Sequence, residues 1–178
     1  MNLLTDGEFF LLLHLGLGIA FIHGFAGGIA TLVDRASGRI GESRRTARVR
    51  AASTVAMAAA LWGAVVSGTW LVYPGYRAEP PEGATTAAYP KADLLANGDV
   101  SFWHDFGMEW KEHVAWLTPF LATAVAFVVI RYGRRVARDP RIRSSLVRLF
   151  TVAALASVVA AGLGAAINKV APNLFLDL

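Results

Sequence analysis

EFFLLLHLGLGIAFIHGFAGGIATLV, residues 8–33, holds one carboxylate at its first position, two histidines and no other ionisable group. A helix needs about 20 predominantly apolar residues to cross the hydrocarbon core of a bilayer, and this run has them. Arginines follow it, none precede it, and no small-residue cleavage pattern closes it. The run therefore predicts a retained membrane span, not a cleaved leader. Three more such runs lie at residues 51–73, 113–131 and 149–170. Together they predict an all-α integral membrane four-helix bundle, a single membrane domain over residues 1–178. Its expected contacts are membrane lipid and the helices of other subunits.

The charges orient the bundle. Two connections, DRASGRIGESRRTARVR (residues 34–50) and RYGRRVARDPRIRSSLVR (residues 131–148), hold 13 of the 17 Lys and Arg residues. Their only acids are Asp34, Glu42 and Asp139. The rest of the chain sets Arg77, Lys91, Lys111 and Lys169 against ten acids. Short arginine-rich loops stay in the cytoplasm. Both therefore predict the same topology, with each terminus outside, as in a multi-pass protein of a bacterial or archaeal cytoplasmic membrane. The net charge of +4 is thus topogenic, and nucleic acid is excluded as a partner. With 0 Cys, disulfides, thiolate metal sites and thiol nucleophiles are excluded too. Neither a G-x-S-x-G elbow nor an H-E-x-x-H motif is present, which argues against hydrolase chemistry.

Residues 74–112 form the outer cap. Pro74, Pro80, Pro81 and Pro90 punctuate its first part. From Ser101, a residue type suited to a helix cap, SFWHDFGMEWKEHVAW predicts a helical extension running into the third span. Pro119 predicts a kink there, because it lacks a backbone donor. Small residues, with Gly24 and Gly28 at GxxxG spacing, predict close helix packing.

The four histidines are the candidate functional residues. An ionisable side chain within a membrane is costly and marks a site by default. His14 lies 19 residues before Val33, and His113 lies 17 before Ile130. At 1.5 Å per residue they differ by about 3 Å in depth. Two histidines at one level on different helices suit the axial ligation of one haem b. Gly18 and Phe21 follow His14 on its face, and Trp116 lies beyond His113; these complete the expected cofactor pocket. His23 and His104 are the weaker iron ligands, each nine residues from its neighbour and so about half a turn away. A second haem is left open on them. For His23, a hydrogen bond to a neighbouring helix is the competing expectation. Asp105, Glu109 and His113 recur every four residues, as one helix face requires. Glu109 is the expected proton acceptor. GTWLVYPGYR, residues 68–77, looks like a family signature without naming the family.

Four short spans with His14 and His113 at matched depth resemble the cytochrome b-type membrane-anchor subunits of respiratory and photosynthetic oxidoreductases. The resemblance implies haem b, exchange of electrons with quinone or an outer-face redox partner, and work within a larger complex. The competing reading is a non-catalytic accessory or assembly subunit with structural histidines. Topology is tested by reporter fusions at Leu178 and within residues 38–48. An outside signal from the first and a cytoplasmic signal from the second are expected, and a cytoplasmic signal at Leu178 contradicts the assignment.

Overall fold

The computed structural model describes residues 5–36 and 43–171. The middle of the first arginine-rich connection, residues 37–42, and the end of the chain from 172 to 178 lie outside the described residues. Six α-helices are present among them: α1 (Asp6–Ala36), α2 (Arg44–Ser67), α3 (Tyr73–Arg77), α4 (Pro90–Ala96), α5 (Glu109–Arg138) and α6 (Pro140–Val170). Four helical segments are long and apolar enough to cross a membrane: α1, α2 with its continuation to Arg77, α5 with its preceding turn from Trp103, and α6. The chain is a multi-pass, all-α membrane protein. Helix α1 packs on α2, α2 on α5, α5 on α6, and α6 closes the ring with a lighter contact to α1. Helices α1 and α5 are therefore diagonal.

Glycine sets the tightest seam. A Cβ on Gly24 would lie 2.8 Å from the backbone nitrogen of Met57, and one on Gly28 would lie 2.6 Å from the Phe150 ring. Lipid offers no hydrophobic drive between helices, so small residues that let backbones touch carry the association. The core then fills with Phe21, Leu32, Met57, Val125, Val129 and Phe150, all buried.

The arginine-rich stretches are largely helix, where the charge pattern read as loop. Arg44 already lies in α2, whose cap Ser43 accepts a hydrogen bond from the Thr46 amide at 3.0 Å. Between α5 and α6 only Asp139 intervenes. Its carboxylate accepts from the Arg141 amide at 2.8 Å, and Pro140 begins α6 where a missing N–H costs nothing. Arg143 donates to the Val136 and Ala137 carbonyls, closing the end of α5. Charge at these positions marks water, not coil.

The kink in α5 also differs from expectation. Non-helical backbone occurs at Tyr132, with φ −122° and ψ 25°, and Pro119 sits inside continuous, buried helix. Pro119 deprives the Ala115 carbonyl of its usual donor. The Thr118 hydroxyl, 2.8 Å away, donates to that carbonyl instead. Ser101 begins the extension before α5 through its backbone carbonyl, which accepts from His104 and Asp105. Its side chain bonds back to Gly98, so it does not cap as expected.

The Gly24–Met57 contact has no flexible side-chain end that can yield. Gly24→Val should lower the unfolding midpoint in detergent by the equivalent of about 1–3 kcal/mol, the usual cost of overpacking. The same change at Gly16, where a Cβ meets nothing within 4 Å, should have little effect.

Candidate functional site

Two π-helical segments shape the end of the bundle remote from the arginines. The first, Gly68–Val72, continues α2 and leads into α3, where Pro74 has no N–H to extend the α register. The second, Trp103–Met108, leads into α5. Each adds a residue to a turn and so rotates the side chains that follow; such insertions are frequent at functional sites. They bring GTWLVYPGYR and the WHDFGMEWKEH stretch to the same end of the bundle, around one polar cluster.

His14 is its contribution from α1. Nδ1 lies 2.8 Å from the Ala64 carbonyl and 3.3 Å from the Ser67 hydroxyl. A carbonyl only accepts, so Nδ1 carries a proton. The ring fits because residue 68 is glycine: a Cβ there would lie 2.9 Å from His14 Cε1. Lys111 of α5 reaches into the bundle, close enough to His14 to act on it electrostatically. Its ammonium runs against α6 at Gly164, where a Cβ would lie 3.2 Å from Nζ. Glu112 follows, about 100° around the helix. Among the described residues its Oε1 is enclosed with no hydrogen-bond partner, and the Tyr73 hydroxyl is near enough to act on its carboxylate. Tyr73 stacks on the buried Tyr76, rings 5.8 Å apart, with the Arg77 guanidinium 5.3 Å from the Tyr73 ring centre. Tyr76 in turn is hydrogen-bonded to His104, its hydroxyl 2.7 Å from Nδ1. Met108, Leu94 and Ile167 pack beneath Tyr76 and close the cluster from the cap side.

The expected haem pair is not brought together. Lys111 reaches inward against α6, and two residues along a helix is about 200° of rotation, so His113 lies on the opposite side of α5. The His113 side chain is 77% exposed. Its Nδ1 donates to the Glu109 carbonyl at 2.7 Å. The residues expected around that haem are also dispersed. Phe21 is in the core beside Phe25. Trp116 packs edge-on between Trp62 and Trp70 at the seam of α2 and α5. Nothing lies within 4 Å of where a Gly18 Cβ would be. These side chains do not fit a haem held between His14 and His113 of one chain. His23 is exposed on α1 and bonds the Ile19 carbonyl of its own helix at 2.9 Å, and among the described residues the expected bond to a neighbouring helix is not made. Glu109 is exposed, with Oε2 4.0 Å from His113 Nδ1. Among the described residues, no three His, Asp or Glu side chains converge as a metal site requires.

His14 and His104, expected as iron ligands, bond Ala64 and Tyr76 here, and Tyr73, Tyr76, Lys111 and Glu112 were not among the expected site residues. The signal for the tyrosines was the 68–77 stretch itself. The signal for the other two was a Lys–Glu pair within one turn of a membrane span. Set against protein families, curated proteins and solved structures, the chain matches none.

Proposed function

We propose that the chain is an electron-transfer subunit of a larger membrane complex, oriented with its arginine end in the cytoplasm and both termini outside. In this reading the cap-end cluster receives the headgroup of a hydroquinone at the outer edge of the bilayer. One observation carries it: among the described residues Glu112 Oε1 is enclosed with no hydrogen-bond partner, next to Lys111, whose ammonium reaches α6 at Gly164. A buried carboxylate oxygen left unpaired is expensive. A hydroquinone supplies what each group lacks. Its hydroxyl donates to Glu112, and its second oxygen accepts from the Lys111 ammonium once it becomes a carbonyl. Tyr73, braced by the buried Tyr76, offers an aromatic edge beside it.

The chemistry balances as the loss of two electrons and two protons. Glu112 takes the proton of the hydroxyl it faces and passes it outward towards the exposed Glu109 and His113, and the proton of the second hydroxyl leaves to water at the cap end. Glu109 then relays protons and is not the first acceptor. The electrons leave one at a time to a one-electron centre shared with a partner subunit. Haem b, which the resemblance implies, belongs in this proposal at such an interface, where the outward His113 Nε2 and the exposed His23 are available to it. An accessory or assembly role is the second reading. It is favoured by His14, whose bond to Ala64 and seat on Gly68 are also how a histidine ties two helices together.

Glu112→Gln separates the two readings, because it keeps the shape and removes the base. In the native complex it should slow quinol oxidation by about 100-fold or more, the usual weight of a general base. Co-purification with the partner subunits should be unchanged, and Glu109→Gln should retain most of the rate. Full activity of the Glu112 variant would remove the hydroquinone site and leave the accessory role.

A further inference from the structure

The opposite end of the bundle carries a second feature, independent of the redox reading. A groove of about 720 Å³ opens between α2 and α5 where the spans give way to the arginine-rich segments. Its walls include Arg48, Arg50, Arg131, Arg134 and Arg135, and among the described residues its lining carries no carboxylate. The backbone departure at Tyr132 turns this part of α5. Tyr132 also gathers the cations: the Arg131 and Arg135 guanidinium carbons lie 5.4 Å and 5.7 Å from its ring centre. Arg50 is buried, while Arg48, Arg131, Arg134 and Arg135 are exposed at the lip. Just before this ring of cations the wall is apolar, with Val129 buried and Ile130 61% exposed.

Like charges so close repel one another unless an anion sits among them. A guanidinium offers paired donors that match phosphate oxygens, which makes arginine the side chain suited to that anion. The position narrows the anion further. The groove lies at the boundary between hydrocarbon and water and has an exposed apolar flank on one side. A soluble anion uses only the charged half, whereas a phospholipid uses both. Basic pockets between spans at the membrane surface bind acidic headgroups in this way.

The geometry points to a binding site for an anionic phospholipid, its phosphodiester held by Arg48, Arg131, Arg134 and Arg135 and its acyl chains lying along the Ile130 side of α5. A second opening, lined by Arg134, Arg135 and Arg138 near Asp139, shares two of these arginines and continues the basic surface across the turn to α6. The Asp139 carboxylate is engaged by the Arg141 amide.

The test uses the full chain purified in a neutral detergent and native mass spectrometry. Phosphatidylglycerol and phosphatidylcholine of matched chains are added in equal amounts. Retention of phosphatidylglycerol should exceed that of phosphatidylcholine by about tenfold or more. The double variant Arg131→Gln, Arg135→Gln should lose about tenfold of that retention, and Arg131→Lys, Arg135→Lys should keep most of it. An unchanged lipid-free melting temperature shows that the double variant is folded; both positions are exposed, so this is expected. Equal retention of the two lipids, or a Gln variant that binds as the parent does, overturns the proposal. So does inorganic phosphate that displaces phosphatidylglycerol at equal concentration, since a soluble phosphate site would then account for the groove.

Discussion

Hydrocarbon offers no hydrogen bonds, so every polar group that enters the bundle must find its partner inside the protein. That constraint explains most of the local architecture. The backbone is helical wherever the chain is apolar. Where Pro119 removes a donor, Thr118 replaces it at the Ala115 carbonyl. Where Pro74 ends the α register, a π turn precedes it. Trp62 is tied across the α2–α5 seam to Thr123 at 3.0 Å, and His14 is tied across α1–α2 to Ala64. Against this background Glu112 stands out, because among the described residues its enclosed Oε1 is left without a donor. An exception to a costly rule is where function is best sought.

The two ends of the bundle solve different electrostatic problems. At one end, arginines crowd the surface, and the grouping around Tyr132 concentrates positive charge beside an apolar wall. At the other end, acids and tyrosines surround a single inward-reaching Lys111, and Gly164 and Gly68 clear the room for long polar side chains. Glycine serves two purposes along these helices. Gly24 and Gly28 bring helices together, while Gly68 and Gly164 make space for His14 and Lys111.

Much of the fold was legible in the sequence, because hydropathy measures the same transfer free energy that drives insertion. The four spans, the cap and the helical extension before α5 follow from it. Helix ends were not legible from it. Apart from the break at Tyr132, residues 131–138 continue the helix of the span before them, and only the Asp139–Pro140 pair signals the turn. The site was legible in part. Counting residues gives position along a helix. It does not give azimuth, which depends on how α5 is rotated against its neighbours and on two π insertions that no α-helical period anticipates. That is why His113 was paired with His14 although it faces away. It is also why Lys111 and Glu112, its immediate predecessors, were passed over.

The central claim is that Lys111 and Glu112 frame a place for a hydroquinone headgroup at the cap end. A cryo-EM map of the native complex with a bound hydroquinone analogue tests it most directly. The account predicts ring density beside Tyr73, with one oxygen near 3 Å from Lys111 Nζ and the other near 3 Å from the Glu112 carboxylate, ordinary hydrogen-bond distances. Density for the analogue elsewhere, with Lys111 and Glu112 paired to protein atoms alone, would contradict it.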